Sequence, residues 1–179
     1  GEGGQIVLNN AQVRIGYPLP LVPPFSTLPD TIISLGKNSR IVFNGPVLIA
    51  PGATIRVKDT AKLGFGGKNH IAHNLLLLCS RRVELGRSVA LSWNVTLIDD
   101  DEHHFQNSKG KLLKGFYRPL ILEENSGIQM NSIIPRGITL GKNSVISCGT
   151  VARRDIPDNT LAYQDQNLIL REGISAPHE

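Results

Sequence analysis

Aromatic residues are scarce in this chain. Phe, Trp and Tyr make up 5% of its 179 residues, although 40% are hydrophobic. A core with few rings is built from Val, Ile, Leu and smaller side chains, which suits a solenoid of thin stacked layers. Cysteine is scarce too: Cys79 and Cys148 are the two. Two cysteines make no disulfide framework, so a reducing compartment, the cytoplasm, is the default expectation. Long apolar runs are missing. The longest, Leu75–Cys79, is strand-sized, whereas a membrane-crossing helix needs about 20 residues. No basic stretch followed by an apolar one opens the chain, which leaves open a leader already removed. A large excess of one charge is also missing: net charge is +4. That balance gives no argument for nucleic acid and is compatible with an anionic, phosphate-bearing ligand.

What the chain does have is a repeat, and a repeat overrides local propensity. From Leu122 an aliphatic residue returns every six positions, as Ile128, Ile134, Leu140 and Ile146. Four residues after each stands a small or β-branched residue: Ser126, Ser132, Ile138, Ser144, Thr150. The same template fits the hexads that begin at Leu35, Ile41, Leu85 and Leu91. Neither a helical period nor strict alternation gives this pattern. It predicts short strands joined by tight turns, coiled so that each strand pairs in parallel with its equivalent in the next coil. Gly36, Gly86 and Gly141 fall at bends and read as structural. Cys79 and Cys148 fall on repeat positions and read as small core residues. The spacing leaves the hand of the coil open.

The repeat also divides the chain. Residues 1–30 read as an extended segment outside the coil, with Ile6–Ile15 a candidate strand and prolines from Pro18 to Pro29 excluding helix. Residues 31–162 read as the coil, and 163–179 as a tail. The frame slips between Val47 and Val57 and across Gly66–Asn74, where bulges or small loops are expected. The largest break, about 102–118, reads as a loop leaving the coil, a length that is usually functional.

Two passages resemble a known family. Ser92-Trp-Asn-Val-Thr-Leu-Ile-Asp-Asp-Asp-Glu-His103 resembles the active-site segment of hexapeptide-repeat O-acetyltransferases that modify polysaccharides, with Asp-x-Asp-x-His falling on Asp99, Asp101 and His103. The run from Ile138 to Thr160 resembles that family's last coils. The resemblance implies a left-handed β-helix of triangular section, an all-β fold, assembled as a homotrimer with acyl-CoA in the groove between subunits. It implies direct transfer of an acetyl group from acetyl-CoA to a sugar or polysaccharide-precursor hydroxyl. His103 would be the general base, since an imidazole is free to accept a proton near neutrality. Asp99 or Asp101 would hold the other ring nitrogen. A backbone N–H or Asn94 would receive the oxyanion, and Trp93 would line the groove or pack at a subunit contact. Ser147, Cys148 and Gly149 correspond to the pantetheine-binding positions. The nucleotide-binding lysine of relatives is replaced in the run Gln164–Leu168, so Arg153, Arg154 or Arg171 would grip phosphate instead.

The chain also departs from the family. Glu123 and Gly127 stand where relatives carry Gly and Trp, and Gln129-Met130 replaces a small pair. A second reading is therefore a catalytically degenerate β-helix that serves as scaffold or binding module. A third is a metal-dependent lyase of the carbonic anhydrase type; His70 and His73 lack the spacing such zinc sites need, and no metal is expected. Lys109, Lys111, Lys114 and Arg118 read as a solvated loop face or as steering groups for an anionic ligand. No nucleic acid and no membrane insertion are expected.

Overall fold

The computed structural model describes residues 1–17, 29–100, 107–111 and 118–164. Among them there is no helix. Short strands wind into stacked coils that build three parallel sheets. Sheet A holds Gln5–Leu8, Arg40–Phe43, Lys62–Phe65, Arg82–Leu85, Leu120–Leu122 and Thr139–Leu140. Sheet B holds Val13–Ile15, Val47–Ile49, Asn69–Ile71, Ala90–Leu91, Gly127–Ile128, Val145–Ile146 and Leu161–Ala162. Sheet C holds Ile32–Leu35, Thr54–Val57, Leu76–Cys79, Thr96–Ile98 and Ile133–Ile134. The chain visits A, B and C in turn and climbs one layer per circuit, so the expected parallel β-helix is the observed fold.

The hexads are the sides of this prism. Leu122, Ile128, Ile134, Leu140 and Ile146 are buried, and so are Ser126, Ser132, Ile138, Ser144 and Thr150 at the corners. The buried hydroxyls of Ser126 and Ser144 donate to the carbonyls of Glu123 (2.7 Å) and Pro157 (2.6 Å), which satisfies them without water.

The frame slips have a different cause from the one expected. Ile121 pairs with Thr139, so the late coil holds three hexads without remainder. Arg40 pairs with Lys62, and Lys62 with Arg82, and each of these steps is longer than three hexads. Pairing runs unbroken through Val47–Asn69 and Thr54–Leu76, so the early coils are longer and carry no local bulge there. Four-residue strands such as Arg40–Phe43 replace two-residue strands such as Thr139–Leu140. The wider interior takes the stacked rings of Phe43 and Phe65, 4.8 Å between centroids.

The N-terminal segment also departs from expectation. Gln5–Leu8 pairs with Arg40–Phe43, and Val13–Ile15 with Val47–Ile49, so the coil begins at Gln5 and not at 31. Ile6, Leu8, Val13 and Ile15 share register columns with buried Ile41, Phe43, Val47 and Ile49, although Ile6, Leu8 and Ile15 stay about half exposed at the open end of the coil; Gln5 lies far back in sequence from its partner Arg40, which hides them from a search for hexads. The proline-rich residues 18–28 and the tail beyond 164 lie outside the described residues.

The three edges between sheets, here A–B, B–C and C–A, carry the bends. At the B–C edge Asn74, Asn94 and Asn131 adopt left-handed backbone (φ 61, 56 and 59°), which asparagine tolerates better than most residues. Their side chains form a ladder: Asn74 donates to Asn94 (3.1 Å), and Asn94 donates to Asn131 (3.0 Å). A second ladder at the A–B edge joins Asn125, Asn143 and Asn159. At Gly86 the need is for close approach, since a Cβ there would stand 2.7 Å from the Glu124 backbone nitrogen. No helix among the described residues is long and apolar enough to cross a membrane.

Candidate functional site

The described chain reaches the expected site at Asp99, the residue after strand Thr96–Ile98, where the insertion leaves the coil at the C–A edge. Asp99 is fully buried. Its Oδ1 accepts the Ser80 N–H (2.6 Å), and its Oδ2 accepts the N–H groups of Arg81 (2.9 Å) and Arg82 (2.7 Å). These donors belong to the tight corner of the preceding coil, where only Ser80 and Arg81 separate two strands. Each short, charge-assisted bond satisfies a backbone group that the corner would otherwise strand. Both oxygens of Asp99 thus accept backbone N–H groups, which makes it an anchor for the departing chain. His103, Asp101 and His104 lie in 101–106, outside the described residues. The segment's return is described from Arg118, at the same edge.

The other site residues divide between two edges. Trp93, 40% exposed, and Asn94 stand at the B–C edge with Ser147, Cys148 and Gly149. Asn94 both accepts and donates within its ladder, so its amide is engaged in structure. Arg153 and Arg154 are exposed at the C–A edge, beside the anchor's column. Sheet C separates the two groups. Among the described residues, a single copy therefore does not gather the expected site residues into one cleft.

The two cysteines behave differently. Cys79 is buried as expected, and its Sγ donates to the Lys62 carbonyl (3.3 Å). Burial first, then the negative charge of Asp99, pushes its pKa up from 9.0 to about 12. Cys148, expected in the core, is exposed, because it occupies the tip of a corner and not the inward position. Its N–H and Sγ both face the Gln129 Oε1, at 3.1 and 3.3 Å. Ellman's reagent should titrate one thiol in the native protein and two after denaturation. A raised pKa favours the neutral thiol in the fold. Cys79 therefore costs no stability below pH 9, and its contribution falls as the pH rises from 9 towards about 12, where only the unfolded chain has ionised it.

Two features escaped the sequence. His73 is buried at the B–C corner, and its Nε2 has no hydrogen-bond partner; its position just before a left-handed asparagine was the available signal. On the outer face of sheet B, Ala90 and Gly127 share a register column between His70 and Val145. The small methyl of Ala90 and the bare Gly127 leave a shallow trough of about 270 Å³, lined also by Ala72, Ser92 and Gln129. The departure at Gly127 marks that trough in sequence. A larger opening of about 750 Å³ lies at the C-terminal end of the coil, lined by residues between Thr150 and Gln164. Among the described residues no group of three or more His, Cys, Asp or Glu gathers as a metal site.

No family model matches the chain. It is 27% identical over 150 residues to a galactoside O-acetyltransferase of Escherichia coli K12, covering 82% of this chain and 67% of that one. It is 31% identical over 115 residues to a galactoside O-acetyltransferase of Lactococcus lactis, covering 60% of this chain and 55% of that one. A putative acetyltransferase of Schizosaccharomyces pombe is 33% identical over 98 residues, covering 55% and 47%. The chain thus spans two thirds of the first relative's length and about half of the other two. In fold it is similar to the crystal structure of the polySia specific acetyltransferase NeuO, with a TM-score of 0.61 at 19% identity, covering 99% of this chain and 80% of that one. Sequence and fold point the same way: the chain is a left-handed parallel β-helix, similar in sequence to galactoside O-acetyltransferases and in fold to the acetyltransferase NeuO.

Proposed function

We propose that the chain moves an acetyl group from acetyl-CoA directly to a sugar hydroxyl, with His103 as general base. The observation that carries this reading is the buried Asp99 anchor, which fixes the root of the insertion whose sequence continues to Asp101 and His103. The names of the two bacterial relatives support a sugar acceptor. The acceptor oxygen attacks the thioester carbonyl carbon as the imidazole takes its proton. The C–S bond then breaks, and the leaving thiolate receives that proton from the imidazolium. With Asp99 committed to backbone, the orienting carboxylate is Asp101. With Asn94 committed to its ladder, the oxyanion falls to a backbone N–H. Arg153 and Arg154 suit the donor's phosphates, and the trough over Ala90 and Gly127 suits its apolar arm.

The division of site residues between two edges supports a homotrimer, in which the C–A edge of one copy faces the B–C edge of the next. The outer face of sheet C supports the same assembly. Leu76, Ile133 and Ile32 project from it partly exposed, with Leu78 and Ile98 half-buried and Trp93 at its margin; apart from exposed Arg56 in the Leu78 column, these make a largely apolar surface suited to burial against a copy. The unpaired cysteines support the cytoplasm as its place. Calorimetry separates this reading from a scaffold. Purified protein, sedimenting with the mass of three copies, is expected to bind coenzyme A; no heat of binding at millimolar coenzyme A favours the scaffold.

A further inference from the structure

The insertion has two roots. Asp99 fixes the first through three backbone N–H groups. The second is Arg118, which precedes Pro119 and strand Leu120–Leu122 of sheet A. One coil on, the same edge holds the corner 135–138, between strands Ile133–Ile134 and Thr139–Leu140. The parallel pairing of Ile121 with Thr139 lays the returning limb over this corner.

Gly137, in that corner, differs from glycines at other bends. A Cβ added at Gly66 or Gly86 would meet the backbone of the next coil, at 2.6 and 2.7 Å. Those two are bare so that coils can stack. At Gly137 the three nearest atoms all belong to the Arg118 side chain: Cδ at 2.6 Å, Cβ at 2.9 Å and Cγ at 3.3 Å. The Arg118 stem thus lies lengthwise across the bare corner, although the residue as a whole is exposed. Gly137 also has left-handed backbone (φ 76°). Asparagine meets that demand at Asn74, Asn94 and Asn131. It would not leave the space.

We propose that Gly137 is a positioning residue for acetyl transfer. Its missing side chain makes a seat for the Arg118 stem, which holds the returning limb of the insertion and with it the place of His103. Carbon atoms in contact sit about 3.5–4.0 Å apart, so a Cβ at 137 displaces the stem by about 1 Å. Misplacing a reacting group by that much costs up to about 10²-fold in rate. A loop tied at both ends also has fewer conformations than one tied at a single end. The stem makes the contact, so lysine, with the same three carbons, serves as well as arginine; a phosphate grip would demand the guanidinium. The catalytic meaning of the seat rests on the proposed transfer with His103 as base; the seat itself does not.

The test reads kinetics and proteolysis together. Gly137→Asn lowers kcat about tenfold and changes the KM for acetyl-CoA less than about twofold. Gly16→Asn is the control: Gly16 has the same backbone (φ 71°) with nothing within 4 Å of its missing Cβ, and this variant keeps the wild-type rate. Arg118→Lys keeps the stem and the rate. Arg118→Ala removes Cγ and Cδ and lowers kcat as Gly137→Asn does. Trypsin reads the seat without any activity. Lys109 and Lys111 are exposed in a turn held by the Asn107 Oδ1, which accepts both their N–H groups at 3.0 Å. Cleavage after them is faster in Gly137→Asn and Arg118→Ala than in wild type, Arg118→Lys or Gly16→Asn. Should Gly137→Asn fail to fold, the two substitutions at exposed Arg118 carry the comparison. Wild-type kcat in Gly137→Asn, a loss in Arg118→Lys equal to that in Arg118→Ala, or cleavage that neither Gly137→Asn nor Arg118→Ala changes overturns the proposal. Faster cleavage in both, with no sugar acetylated by wild type, overturns the catalytic reading and leaves the seat standing.

Discussion

His103→Ala lowers kcat for acetyl transfer by about 10²–10⁴-fold, the range expected when a general base is removed. The KM for acetyl-CoA changes far less, because the imidazole acts on the acceptor proton and not on the donor's nucleotide. His104→Ala, one residue further on, leaves the rate near wild type. The pair separates a positioned base from a generic effect of shortening a loop side chain. Steady-state kinetics with a saturating sugar acceptor, checked by circular dichroism for intact fold, decides it. Equal rates in wild type and His103→Ala remove His103 from the mechanism.

Asp99→Ala acts on the fold first. It leaves three backbone N–H groups, those of Ser80, Arg81 and Arg82, without their acceptor at a tight corner. One orphaned buried donor costs about 1–3 kcal/mol, so the loss is on the order of 3–5 kcal/mol even if water reaches one of them. Asp99→Asn keeps one acceptor oxygen and turns an NH₂ towards a backbone N–H, which places it between wild type and Asp99→Ala. Denaturant midpoints for the three proteins read this order. A variant that melts with wild type contradicts the anchor. If Asp99 instead served only to orient an imidazole, activity would fall with no change in the midpoint.

Much of the fold was legible in sequence. The hexads from Leu122 to Thr150 mark every inward and corner position of the last complete coils, because three hexads there close one circuit without remainder. Legibility fails where the coil lengthens. Between Arg40 and Lys62, and again between Lys62 and Arg82, the step is no longer a multiple of six, and slips resemble insertions although the pairing is continuous. The first coil is invisible for a related reason, since its sheet A and sheet C strands are separated by the proline-rich stretch. The site was less legible. Sequence proximity grouped Trp93, Asn94 and Asp99, yet one strand of sheet C carries the chain from one edge to another between them. Asp99 and Asn94 carry the chemistry of site residues, and their geometry turns both to backbone or ladder. That choice depends on the neighbouring coil, a full circuit away along the chain, which a short motif does not contain. The seat at Gly137 was hidden in the same way. Arg118 and Gly137 look unrelated until the pairing of Ile121 with Thr139 brings them together.

The most direct test of the account is sugar-dependent release of coenzyme A thiol from acetyl-CoA by the purified protein, with the acetylated sugar identified by mass spectrometry. The account predicts release that rises with sugar concentration and is lost in His103→Ala. Release that ignores every sugar offered, or that is unchanged in His103→Ala, contradicts it.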